Sequence, residues 1–204
     1  MYALVENGQI TKTFAYPKGF ELNDNQYSAK IFELWSQAEK EAIGLYEVIT
    51  DNTNYKDPAY YINTNEQYTF ANGQVTKSWG TATAKRLNDE NAVDEDGNNI
   101  LDDDGVQVIN YGLKTEKKKI VKQQASGLLA PTDWYVVKST EVADYDVPAN
   151  ILSFRADVRT KSNEMETAID NCTTVDELKA LYEYTEQEDG TITRPLPEFP
   201  KEVI

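Results

Sequence analysis

Between Asn88 and Gly112 the chain reads NDENAVDEDGNNILDDDGVQVINYG, with eight carboxylates (Asp89, Glu90, Asp94, Glu95, Asp96, Asp102, Asp103, Asp104) and no basic residue. Charges at this density stay in water, so the segment cannot join a core, and the chain is expected to build its cores on either side of it. Two Asp-Gly turns, at Asp96-Gly97 and Asp104-Gly105, flank Ile100-Leu101, with Val106, Val108 and Ile109 following. That pattern suits a projecting hairpin or a flexible insertion. The expected fold class is α+β: a small hairpin-rich α+β lobe over residues 1–87, the acidic insertion over 88–112, a helical module of about three helices over 113–184, and a Pro-rich tail over 185–204.

In the first part, YALVENGQITKTF places Asn7-Gly8 between two short alternating runs, and TFANGQVTKSW does the same with Asn72-Gly73. Asn-Gly tolerates the positive φ angles of a type I′ turn, so two β-hairpins are predicted. The shared NGQ[IV]TK core is read as a recurring turn and not as an internal repeat. Between the hairpins, Ser36 and Glu39 have capping-box spacing and Gly44 can stop the helix after about two turns, with Leu45 to Thr50 following as a strand.

From Leu113 the spacing becomes helical. LKTEKKKIVKQQASGLL puts Leu113, Lys117, Ile120, Val121, Gln124 and Leu128 near one face, and the KKK run is read as a solvated face beside acidic neighbours. VPANILSFRADVRTKSNEMETAID places Ile151, Phe154, Val158, Met165 and Ile169 on one stripe, with Pro148 at the helix start. A further helix begins at Thr174, where Glu177 completes a capping box, and carries Val175, Leu178, Leu181 and Tyr182. Between these helices lies LLAPTDWYVV, where Thr132 is predicted to cap a helix opening at Asp133, a residue favourable at the positive end of the helix dipole. Trp134 has two readings, a structural one and that of an exposed interface anchor. Arg155 and Arg159 share a helical face beside Phe154; they pair with carboxylates such as Asp133, Asp157 or Glu164, or reach a partner's carboxylates and carbonyls. Pro195, Pro197 and Pro200 call for an extended tail that packs on a neighbour.

Composition narrows the chemistry. The 204 residues include no histidine, which closes Ser-His-Asp and Cys-His catalysis, the HExxH metal site and His-based zinc fingers. Cys172, the lone cysteine, is read as a partly buried thiol. In the acidic stretch a calcium loop would use Asp94, Asp96, Asn98 and Asp102, but counting from Asp94 the sixth and twelfth positions hold Asn99 and Gly105 instead of Gly and a carboxylate. Catalytic residues, metal and cofactors are therefore all expected to be none. A net charge of −15 repels phosphate backbones and anionic lipid, so neither nucleic acid nor membrane is an expected partner.

Taken together, LLAPTDWYVVKS, VPANILSFRADVR and TTVDELKALY resemble the C-terminal region of phage tail-fibre assembly chaperones and related small tail accessory proteins. Thr132, Asp133, Trp134, Pro148, Arg155 and Arg159 carry that resemblance, while Phe154 stands where the family often has Tyr and Val158 where it often has Leu. The opening YALVENGQITKTF and WSQAEKEAIGLYEV are similar to the family's first lobe. The acidic insertion and the continuation TKSNEMETAID depart from the pattern. The resemblance implies a non-enzymatic protein that binds tail-fibre or other tail subunits and assists their assembly, working in the host cytoplasm. Two alternatives stand beside it: a permanent structural component of the virion tail, joining fibre to tail and open to homo-oligomerisation, and a polysaccharide-degrading tail enzyme. The partner-binding residues expected are Trp134, Tyr135, Phe154, Arg155 and Arg159.

Overall fold

The structure, a computed structural model, describes residues 1–201. It is an α+β protein with a strand-rich N-terminal part and a helical C-terminal part, and it divides into two compact units, Met1–Ala84 and Lys85 onward.

In the first unit both Asn-Gly pairs form the predicted turns. Asn7 and Gly8 take φ of 53° and 78°, and Asn72 and Gly73 take 52° and 73°, the left-handed values a type I′ turn requires. They join β1 (Tyr2–Glu6) to β2 (Gln9–Phe14) and, further along, β7 (Gln67–Ala71) to β8 (Gln74–Ser78). A third, smaller hairpin, β3 (Phe20–Leu22) with β4 (Asn25–Tyr27), and two short helices, α1 (Ile31–Leu34) and α2 (Gln37–Ala42), precede β5 (Leu45–Thr50). The Ser36 capping box forms at α2, with the Glu39 carboxylate accepting from Ser36 N at 2.8 Å. The pair β6 (Tyr61–Ile62) and β9 (Thr83–Ala84) completes the unit.

The main sheet has the order β2-β1-β5-β8-β7, so the two Asn-Gly hairpins flank the central β5, which pairs in parallel with β8. Strands β2 and β7 approach each other and the sheet curls on itself. Ala3, Val5, Val48 and Val75 fill one face together with Ile10, Tyr46, Tyr68 and Phe70. Leu4, Phe14 and Leu45 face the other way and are covered by Phe20, Ile31 and Phe32. Gly44 is obligatory at the entry to β5: its φ is +79°, and a Cβ there would sit 2.4 Å from the Val5 carbonyl oxygen.

The second unit opens with the acidic stretch, which is a hydrogen-bonded arm of two hairpins on a common stem. The stem pairs β10 (Glu90–Asn91) with β11 (Ile109–Asn110). One hairpin closes at Val93 and Asn99, the other at Leu101 and Gln107. Where the three ribbons meet, the backbone forms a ring: Ala92 N–H donates to Val108 O, Val108 N–H to Ile100 O, and Ile100 N–H to Ala92 O, at 2.8, 2.9 and 2.9 Å. The Gln107 side-chain amide donates to the same three carbonyls, at 2.9 Å (Ala92), 3.2 Å (Ile100) and 2.8 Å (Val108). Its donors thereby reach the second lone pairs that the ring leaves open. The sequence shows the basis in retrospect, since VDEDGNNI and LDDDGVQV repeat Asp-x-Asp-Gly eight residues apart.

Gly112 leads into α3 (Leu113–Leu129), and a Cβ on it would lie 2.5 Å from Asn88 backbone atoms. Asp89 caps this helix, accepting from Gly112 N at 2.7 Å and from the Thr115 hydroxyl at 2.8 Å. The Gly112 amide first, then Thr115, hold its carboxyl below the usual range. After a 3-10 turn over Ala130–Thr132 come α4 (Asp133–Glu141), α5 (Ala149–Asn171) and α6 (Val175–Ala180). Ion pairs Lys118–Asp170 (2.7 Å) and Lys122–Glu166 (3.3 Å) tie the start of α3 to the end of α5, so the two long helices run antiparallel.

The α5 stripe is as expected: Ile151, Phe154, Val158, Met165 and Ile169 are all buried. On α3 the expected face is corrected. Ile120 and Gln124 are exposed, and Leu113, Val121 and Ala125 are the buried residues, because the antiparallel partner rotates the contact line toward the smaller side chain. The Thr174 capping box forms, with Glu177 N donating to the Thr174 hydroxyl at 3.1 Å. The tail makes a short hairpin, β12 (Thr185–Glu186) with β13 (Ile192–Thr193), then returns to the unit. Leu196 is buried with its N–H on Leu181 O, and Phe199 packs on the Ala125, Phe154 and Val158 cluster. The last three residues of the expected Pro-rich tail lie outside the described residues.

Candidate functional site

The stretch LLAPTDWYVV spans the end of α3, the 3-10 turn and the first half of α4. Thr132 was expected to cap α4, and this is corrected. Its φ and ψ are −102° and −1°, a helical conformation carried on from the preceding turn, and its side chain makes no capping bond. Instead Thr132 is fully buried; its hydroxyl donates to Leu129 O at 2.7 Å and accepts from Arg155 Nη1 at 2.6 Å. The same Arg155 nitrogen lies 3.0 Å from Leu129 O and 2.8 Å from Asp133 Oδ1. Arg155, only 8% exposed, therefore reaches out of α5 to grip the hinge that launches α4. Planarity and several donors suit a guanidinium for clustered oxygens of this kind.

The expected partner-binding residues separate into two groups. Phe154 is buried in the α3/α5 core, and Arg155 is buried in the hinge, so neither presents a contact surface; the expectation of a Phe154/Arg155/Arg159 face is corrected accordingly. Arg159, one turn along α5, is exposed, and its Nη1 donates back to Arg155 O at 3.2 Å. Trp134 is 50% exposed and Tyr135 half-buried, with ring centroids 3.8 Å apart. Lys138 lies 5.7 Å from the Trp134 ring centroid and 4.2 Å from that of Tyr145.

Sequence reasoning missed the extent of this surface. Val136, Val137 and Val142 are also exposed, and α4 has no buried residue although four of its nine positions are Trp, Tyr, Val and Val. The signal was present in the run WYVV: four consecutive residues of an α-helix point to all sides, so a helix lying on a core cannot bury them all.

Other groups have local occupations. Cys172 is buried and donates to Ala168 O, and burial first, then the nearby Glu177 charge, push its thiol up. The Asp94 carboxylate accepts from the Asn98 and Asp96 backbone amides at 2.8 and 3.0 Å, and the Asn98 bonds chiefly hold it below its usual range. Among the described residues no group of three or more His, Cys, Asp or Glu side chains is placed to hold a metal ion, and no helix is long and apolar enough to cross a membrane. No family model, curated protein or solved structure matches the chain.

Proposed function

We propose that this chain is a non-enzymatic accessory protein of a bacteriophage tail that binds a fibre or other tail subunit through α4 and assists its assembly. The observation that carries the binding reading is the unburied apolar helix. Trp134, Val136 and Val137 stand 50%, 37% and 52% exposed on one short element, and exposed apolar clusters of this kind mark interaction surfaces. Trp and Tyr are suited to such contacts because each brings a large rigid area at small entropic cost. Arg155 and Thr132 act as positioning residues that hold the helix out from the core. The resemblance of the TDW, VPANILSFRADVR and TTVDELKALY motifs supplies the tail assignment.

One observation favours the second reading, a permanent component of the virion tail. The acidic arm is a hydrogen-bonded three-way junction, a construction suited to a lasting structural contact. Mass spectrometry of purified virions separates the readings: stoichiometric presence supports the resident component, and absence together with a need for the chain in fibre folding supports the assembly factor. Absence with no effect on fibre folding refutes both.

A further inference from the structure

We infer that the acidic arm of one copy docks on a lysine-lined groove of a second copy, closing a two-fold homodimer. The arm is built to be covered: Val93, Ile100, Leu101 and Val106 are between 41% and 60% exposed, although the ribbons that carry them are hydrogen-bonded. Six carboxylates, Asp94 to Asp96 and Asp102 to Asp104, alternate with those aliphatics along the two hairpins.

The complementary surface lies on α3. Tyr111, Lys118, Lys119 and Lys122 border an open groove of about 770 Å³, with a single carboxylate, Glu116, among its lining residues. Lysine stems and the 63% exposed Tyr111 ring give it apolar walls. Lys118 and Lys122 have Asp170 and Glu166 behind them on α5, and Lys119 has no ion pair among the described residues. A ligand for such a groove needs aliphatic side chains interleaved with carboxylates, which is the composition of the arm. Among the described residues, none of the arm's carboxylates or exposed aliphatics borders the groove of its own copy.

A second copy is the occupant favoured by placement. Tyr111 follows directly on β11, the closing strand of the arm, and also lines the groove, so arm and groove are neighbouring features of one unit. Two copies facing each other across a two-fold axis then lay each arm over the other's groove, and both contacts form together. The net charge of −15 opposes the approach at long range, but this repulsion is screened beyond about 8 Å at 0.15 M salt, whereas the docked charges touch.

Sedimentation equilibrium of the full chain at physiological salt tests the inference, with Lys119→Glu and Asp103→Lys as variants at exposed positions and hydrogen exchange as the check that both fold. The wild type is expected to be a dimer at micromolar concentration. Each variant weakens it at least about tenfold, or about 1.4 kcal/mol, although one makes the chain more negative and the other less. Mixing the two variants restores the dimer, because in the mixed pair one contact joins a wild-type arm to a wild-type groove. A monomer throughout, a tighter dimer with Asp103→Lys, or a mixture no better than the separate variants overturns the proposal; the second result would show that overall repulsion alone governs association.

Discussion

Replacing Arg155 by alanine removes the side chain that connects α5 to the hinge before α4, and the geometry allows its cost to be built up by parts. The bond to the buried Thr132 hydroxyl, 2.6 Å long with a charged donor, is worth about 1.5–3 kcal/mol. The pair with Asp133 contributes less than about 1 kcal/mol, because that carboxylate is 59% exposed. Leu129 O keeps the Thr132 hydroxyl, so losing Arg155 there adds little. Two buried methylenes add about 0.8 kcal/mol each. Arg155→Ala should therefore destabilise the second unit by about 3–5 kcal/mol, Thr132→Val by about 1–3, and Asp133→Asn by less than about 1. Two compact units make a single unfolding transition composite, so the assay is native-state hydrogen exchange at the Val158 and Ile169 amides, in residues with no exposed surface. If Asp133→Asn costs as much as Arg155→Ala, the exposed ion pair and not the buried hydroxyl holds the hinge, and the reasoning fails.

Gln107→Ala should lower exchange protection of the Ala92, Ile100 and Val108 amides by about 1–2 kcal/mol while leaving the α5 amides unchanged; equal loss in both places would show that the arm is not an independent element. Acid should destabilise both units: the Ser36 hydroxyl first and then its amide depress the Glu39 carboxyl, and backbone amides first, then the Thr115, Asn98 and Thr173 side chains, depress those of Asp89, Asp94 and Glu177. Groups depressed on folding contribute stability above their unfolded values, about 3.9 for Asp and 4.3 for Glu, and lose it as pH falls through the lower folded values. Unfolding free energy should be level from neutrality to about pH 5 and decline below about 4.5, with Glu177→Gln removing part of the decline; a rise on acidification would contradict the assignment.

Local rules read much of this fold from the sequence. Asn7-Gly8 and Asn72-Gly73 determine their own turns, and Ser36/Glu39 and Thr174/Glu177 satisfy helix ends within four residues, so each was legible from neighbouring letters. The α5 stripe was legible because the 3.6-residue period keeps its apolar residues on one face of a single long helix, and that face is buried. Thr132 misled because a cap and a continued turn look alike until Arg155, 23 positions away, supplies a buried donor. Ile120 looked buried because periodicity gives a face only to within a residue or so, and the partner's position decides between neighbours. The ring at Ala92, Ile100 and Val108 depends on three ribbons meeting in space, and the paired Asp-x-Asp-Gly spacing was its only trace. Within the candidate site, Trp134 and Tyr135 stand in the surface helix, while Phe154 and Arg155, equally prominent as letters, were claimed by the core and the hinge.

Under the proposed function, α4 is a contact surface for a tail subunit. Soluble yield of a tail-fibre subunit co-expressed with this chain, compared between wild type and Trp134→Ala/Val137→Ala, tests it most directly, since both positions are half exposed and α4 has no buried residue to disturb. The wild type should raise the yield and hold the subunit through purification, while the variant, folded as before by hydrogen exchange, should do neither. Equal yields with wild type and variant, or no difference from the subunit expressed alone, would contradict it.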